Sequence, residues 1–180
     1  MNFFPKLLIF FLSLICSMPL LAQPTPMKFG DIKMSDLKME KFEADPDAAA
    51  IILGDFGEVD FELGRGYTEY TRHRRIKILN KAGFDWADIS IGYAARGGKI
   101  INIKGMTYVL DGGKMVEHKL DKKTIIDEEV NKNYNQKKIS MPAVKEGCII
   151  EYIYTVISEN YIVPDWYFQT SEPILHYTEL

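Results

Sequence analysis

Ile149-Ile150-Glu151-Tyr152-Ile153-Tyr154-Thr155-Val156-Ile157 is the stretch on which the fold turns. Ile149-Ile150 and Tyr152 to Ile157 carry apolar residues at both phases of a two-residue period. A strand with that texture is covered on both faces and belongs in the middle of a sheet. Working back from it, Ile101 to Leu110 and Met115 to Leu120 flank Asp111-Gly112-Gly113. Glycines accept the positive φ of a tight hairpin, so these two strands are expected to run antiparallel. Ala87, Ile89, Ile91 and Tyr93 mark a one-sided strand, and Asn80-Lys81-Ala82-Gly83 turns the chain ahead of it. Tyr67 to Leu79 is a long run rich in Thr, Tyr and Ile. Val59, Phe61 and Leu63 alternate with Asp60 and Glu62 as a half-buried strand does, after a turn expected at Gly54-Asp55 and Gly57. Beyond the central stretch, Trp166 to Thr170 and Ile174 to Glu179 read as further strands. Roughly eight to ten strands, short turns and no long helix predict an all-β fold, an antiparallel β-sandwich.

The N-terminal part is different. Lys6 supplies one positive charge, Leu7 to Ile15 run almost without a polar break, and Leu20-Leu21-Ala22 lead into Gln23. That order predicts a secretory signal peptide over residues 1–22. The apolar run is shorter than the roughly 20 residues that span a bilayer, and Pro19 closes it, so cleavage is expected rather than anchoring. Ile15 stands where a small residue would be needed for lipid attachment at Cys16. Residues 23–34 form a linker or entry segment, with Gln23-Pro24-Thr25-Pro26 as a polar, proline-bearing spacer. Ser35 as an N-cap before Leu37 to Lys41, and Asp45-Pro46-Asp47, predict one or two short helical turns. The sandwich domain is assigned to residues 35–180. Ile174 to Leu180 reads as the middle of a strand with no polar tail, so the domain is expected to be cut short at its C-terminus.

The chain has 22 basic and 25 acidic residues, a formal net charge of −3, and Lys6 is the one charged residue before Gln23. The expected mature part is thus mildly acidic, which gives no basis for nucleic-acid binding. No later segment is long and apolar enough to span a membrane. Of the two cysteines, Cys16 and Cys148, only the second follows the leader, so the domain must hold together by burial rather than by a disulfide.

Few residues in the chain carry a pattern that chemistry requires. Cys148 opens a heavily apolar strand and reads as a small core residue, while His73, His118 and His176 lie on separate strands. Arg72-His73-Arg74-Arg75 with Lys77 is the densest basic run. On a strand, Arg72 and Arg74 face away from His73, Arg75 and Lys77. The expectation is therefore a solvated strand with arginine stems lying over their neighbours. Asp127-Glu128-Glu129 and Asp45/Asp47 lack the alternate oxygen ligands and turn glycine of a calcium loop, and no close-spaced set would hold zinc. No catalytic, cofactor-binding or metal-binding residues are assigned, and no cofactor. The aromatic group Tyr161, Trp166, Tyr167 and Phe168 is the candidate binding surface, for a glycan or a protein partner, although sandwich cores use such residues too.

Four segments in order carry a resemblance. They are Phe29-Gly30-Asp31-Ile32 with Asp45 to Leu53, Arg75 to Asn80 before Gly83, Met141 to Tyr152, and Trp166-Tyr167-Phe168-Gln169 with Pro173. Together they resemble the uncharacterised β-rich domain at the N-terminus of exported bacterial transglutaminase-like proteins, common in the Bacteroidetes. The resemblance implies a following transglutaminase-like domain of the papain-like superfamily with a Cys-His-Asp triad, absent from these 180 residues. Cys148 does not match that nucleophile. The chain is then expected to be no enzyme in itself but an accessory, substrate-presenting domain whose partner is the downstream catalytic domain. Its expected location is the periplasm or the cell surface. The alternative is an independent binding or adhesion module.

Overall fold

A computed structural model describes residues 27–159, 173 and 177–179. Among the described residues nine strands form two sheets. In chain order they are β1 (Ala50–Glu62), β2 (Tyr67–Ile78), β3 (Asp88–Ala94), β4 (Gly98–Asp111), β5 (Lys114–Lys119), β6 (Ile126–Asn131), β7 (Tyr134–Ser140), β8 (Ile149–Glu159) and β9 (Tyr177–Glu179). The larger sheet has the order β5-β4-β8-β2-β1-β9, and the smaller has β3-β7-β6. All neighbours are antiparallel except β9, which runs parallel to β1. The all-β, two-sheet architecture is the one its texture predicts.

β8 is central, as its apolar texture requires. It pairs with β2 from Tyr67↔Glu159 to Lys77↔Ile149 and with β4 from Gly98↔Ser158 to Tyr108↔Ile149. Even-numbered residues of β8 (Ile150, Tyr152, Tyr154, Val156) join Ile76 and Ile78 of β2 in the main core, where Ile91 of β3 and Ile139 of β7 meet them from the small sheet. This is the inner face. The opposite, outer face of the large sheet is covered by the segment before β1. Its short helix α1 (Met34–Leu37) packs Leu37 with Ile51, Leu53, Tyr108 and Ile149 in a second core. Each face of the large sheet therefore carries a buried core, and a buried aliphatic side chain contributes about 1.5–3 kcal/mol.

Several local expectations are corrected. No turn interrupts Gly54 to Gly57. β1 runs straight through, with a β-bulge between Ile52 and Gly54 that absorbs one extra residue. Phe61 and Leu63, expected on a buried face, are 54% and 76% exposed, because the end of the β1–β2 hairpin extends past the core. Ser35 is not the cap of α1. Lys33 occupies that place, the helix is a single turn, and the Ser35 hydroxyl donates instead to Asp36 at 3.2 Å. Asp45-Pro46-Asp47 forms a turn and no helix. After β2 the chain makes a 3-10 helix, Lys81–Ala87, capped by the Asn80 side chain accepting from Ala82 N at 2.9 Å. Gly83 is required there, since a Cβ would lie 2.5 Å from the Ala49 carbonyl oxygen. The Gly112-Gly113 hairpin is as expected, with φ of 53° and 79°. Trp166 to Thr170 lies outside the described residues, and of Ile174 to Glu179 only β9 is described.

Candidate functional site

The basic run of β2 does face both ways, but it is not solvated. His73, Arg74, Arg75 and Lys77 are all buried, and each cation has found a partner that the linear sequence conceals. Burying a charge without one would cost several kcal/mol, so the partners define the site.

On the outer face the partner is Glu151, the one acid between Ile149 and Ile157 and fully buried. Its Oε1 accepts from His73 Nε2 at 2.8 Å and from Arg75 Nη2 at 2.6 Å and Nε at 3.2 Å. Its Oε2 accepts from the Tyr108 hydroxyl at 2.8 Å and Gly30 N at 2.9 Å. Burial alone would raise the Glu151 pKa. The His73 hydrogen bond, the Arg75 charge and the Gly30 N–H outweigh it and hold the carboxyl below its ordinary value. Arg75 Nη2 also donates to Lys28 O at 2.9 Å, and the Phe29 ring stacks on His73 with centroids 5.7 Å apart. Further along this face, Lys77 Nζ donates to Leu37 O and Gly147 O, both at 2.6 Å, and burial lowers its pKa to about 8. These contacts fasten the entry segment onto the sheet.

On the inner face Arg72 and Arg74 share Asp55. Arg72 donates from Nε at 2.9 Å and Nη2 at 2.7 Å to the two Asp55 oxygens, a bidentate pair. Desolvation opposes the Arg72 charge, and the Asp55 hydrogen bonds more than restore it, so its pKa rises. Arg74 Nε lies 2.9 Å from Asp55 Oδ2 without hydrogen-bond alignment, and its Nη1 reaches the Tyr152 hydroxyl at 3.4 Å. Its guanidinium lies over the Trp86 ring, 5.3 Å from the centroid. Arg74 Nη2 is buried and has no hydrogen-bond partner among the described residues.

A cleft of about 440 Å3 adjoins these arginines. Arg72, Arg74, Tyr152 and Tyr154 line it from the large sheet, and Trp86, Asp85, Asp88 and Ser90 from the 3-10 helix and β3. The Tyr152 and Tyr154 rings are nearly parallel, 9° apart with centroids 6.3 Å apart. Burial raises the Tyr154 pKa to about 12, so its hydroxyl stays neutral at physiological pH. Asp85, Asp88 and Ser90 are exposed and form the mouth.

Cys148 is fully buried in the main core, as expected, and burial pushes its thiol up. His73 is occupied by Glu151, and His118 lies on β5 at the opposite edge of the large sheet from β1. Among the described residues no group of histidine, cysteine and carboxylate residues is arranged to hold a metal. Asp127 and Glu128 pair with Lys137 and Lys138 across β6 and β7. The aromatic candidates Tyr161, Trp166, Tyr167 and Phe168 lie outside the described residues. Among the described residues no helix is long and apolar enough to cross a membrane.

Sequence reasoning missed Glu151 and Asp55. Glu151 had a signal: a lone acid within the apolar run Ile149 to Ile157 must bury its charge, and β2 carries basic residues at alternate positions. Asp55 was hidden by the glycines around it, which read as a turn.

The DUF3857 model, described as a domain of unknown function with a solved structure, matches residues 64–178. Among curated proteins none matches. Among solved structures, one described as "a putative protease" from Parabacteroides distasonis is similar at a TM-score of 0.54 and 12% identity. The match covers 67% of this chain and 24% of that one, so the chain spans about a quarter of its length. At that identity the likeness is one of fold.

Proposed function

As the chain belongs to the DUF3857 family, we propose that it is the non-catalytic N-terminal module of a larger exported protein, with a papain-like, transglutaminase-type catalytic domain downstream. In this reading the 440 Å3 cleft holds substrate for that domain, in the periplasm or at the cell surface. The observation that carries it is the pairing of a sealed thiol with an open cleft. A cysteine nucleophile needs an accessible thiolate and a base beside it. Cys148 is fully buried with its thiol pushed up, while Arg74 and three aromatic rings line a space open to solvent. The similarity to a longer chain supports the multidomain reading, and the resemblance of the sequence motifs supports the catalytic class.

The test uses the full-length exported protein. Its intact mass should show a species extending well beyond Leu180, and amide hydrolysis or transamidation should be unaffected by Cys148→Ala. A mature protein ending at Leu180 would overturn the multidomain reading. Loss of activity in a folded Cys148→Ala variant would overturn the assignment of this module as non-catalytic.

A further inference from the structure

We propose that the cleft between β2, β8 and the 3-10 helix is a receptor for a peptide-borne carboxylate, taken up by Arg74 and flanked by Trp86 and Tyr152. The inference rests on the reading of this cleft as the module's substrate-holding surface, and it adds the chemical class of the ligand. Its first support is the incomplete guanidinium. Arg74 is 8% exposed, yet its Nη2 has no hydrogen-bond partner among the described residues. A buried N–H without an acceptor costs about 1–3 kcal/mol, more when charged. A ligand oxygen would remove that cost. The planar fork of arginine suits a carboxylate, which can take two parallel N–H bonds.

The charges around the cleft select among anions. Among the described residues Arg72 and Arg74 share the Asp55 carboxylate, so these three side chains leave the inner wall with one surplus positive charge. Asp85 and Asp88 stand at the mouth. A dianion such as a phosphate monoester would meet more repulsion at the mouth than the wall can offset. A monoanionic carboxylate matches the surplus. The two mouth carboxylates then accept from the N–H groups of the peptide that carries it. A neutral sugar hydroxyl can accept from Arg74 Nη2, but without the charge assistance that a carboxylate brings. The volume is within the range of small-ligand sites, enough for a few residues rather than a folded partner.

The same carboxylate chemistry is offered by an acidic side chain or by a free C-terminus. Calorimetric titration of the full-length protein with Ac-Ala-Glu-NH2, Ac-Ala-Ala-OH and the amide control Ac-Ala-Gln-NH2 separates the two. At least one carboxylate peptide should bind about tenfold or more tightly than the amide, a preference of the size set by one charge-assisted hydrogen-bond pair. Which one binds identifies the source. Arg74→Gln should abolish the preference. Because that change also disturbs the Asp55 pair, Ala82→Glu is the second variant: Ala82 is exposed on the cleft wall, and a carboxylate there should repel the ligand without touching the core. Equal binding of all three peptides, no binding of either carboxylate, or an unchanged preference in both variants overturns the proposal. Turnover of a peptide substrate in the same variants separates the two readings. A carboxylate preference with unchanged turnover overturns the substrate-holding role and leaves the receptor. Reduced turnover without a preference overturns the receptor and leaves the role.

Discussion

The two faces of β2 treat one basic run in opposite ways. On the outer face His73 and Arg75 converge on Glu151 with Tyr108 and Gly30, so both carboxylate oxygens are filled and Phe29 covers the group. On the inner face two arginines divide Asp55, and Arg74, which lines an open cleft, has a guanidinium nitrogen without a partner among the described residues. Adjacent residues on one strand thus serve a closed network and an incomplete one. A closed polar network fixes structure, because every group in it would lose by moving. An incomplete one at a cleft has unused bonding capacity, and there a ligand has something to gain. Burial and charge alone do not separate the two cases; counting satisfied donors does.

The sharpest way to break this contrast is at Glu151. Glu151→Gln leaves Arg75 buried against a neutral amide and should destabilise the domain by about 3–5 kcal/mol in denaturant unfolding. The same residue should govern the acid limb. Because its folded pKa lies below the ordinary 4.5, its stabilisation is full above that value and is lost as pH falls through the depressed one. Glu151→Gln should flatten that limb, and an unchanged acid midpoint would show that the network is not what acid breaks.

Asp55→Asn should cost less, about 1–3 kcal/mol, since the Arg72 side chain is 19% exposed and water can replace part of what is lost. Its second effect distinguishes the faces: carboxylate peptides should bind the cleft more tightly, because their internal competitor is gone. A cost equal to that of Glu151→Gln, with no gain in binding, would make the inner pair a second structural network.

Lys77→Met removes two hydrogen bonds that fasten Leu37 and Gly147, with an expected loss of about 1–2 kcal/mol. The folded pKa of about 8 lies below the ordinary 10.5, so the wild-type protein should gain stability from this group as pH rises from 8 to 10.5. The variant should show no such gain from this position. The smallest effect is expected at Glu128→Gln on β6, where the pair with Lys138 is exposed and screened and no change in unfolding midpoint should be measurable.

How far the sequence reveals this arrangement depends on whether an element is amphipathic. β8 announces its central place because Ile149 to Ile157 has no polar face, and β2 announces the divergence of Arg72 and Arg74 from His73, Arg75 and Lys77 through its period of two. β6 and β7 are not legible in the sequence. Every residue of β6 is exposed, and β7 buries only Ile139, so neither carries a hydrophobic pattern. They are strands because they pair with each other and with β3, which tertiary context decides. The cleft is invisible for a related reason. It needs Asp55, Arg74, Trp86 and Tyr152, four residues on separate elements, and no spacing along the chain links them.

The position of β8 also bears on how the chain assembles. β1 with β2 and β4 with β5 are hairpins of near neighbours in sequence, but only β8 joins the two pairs into one sheet. Its first residue is Ile149. In a chain that lengthens from the N-terminus both hairpins precede that strand, and their inner edges have no partner in this sheet until it is present. Contacts so distant in sequence slow folding and leave open edges exposed to aggregation. The fold is closed by its middle, and a nascent chain stopped short of Ile149 would hold two hairpins with nothing to unite them.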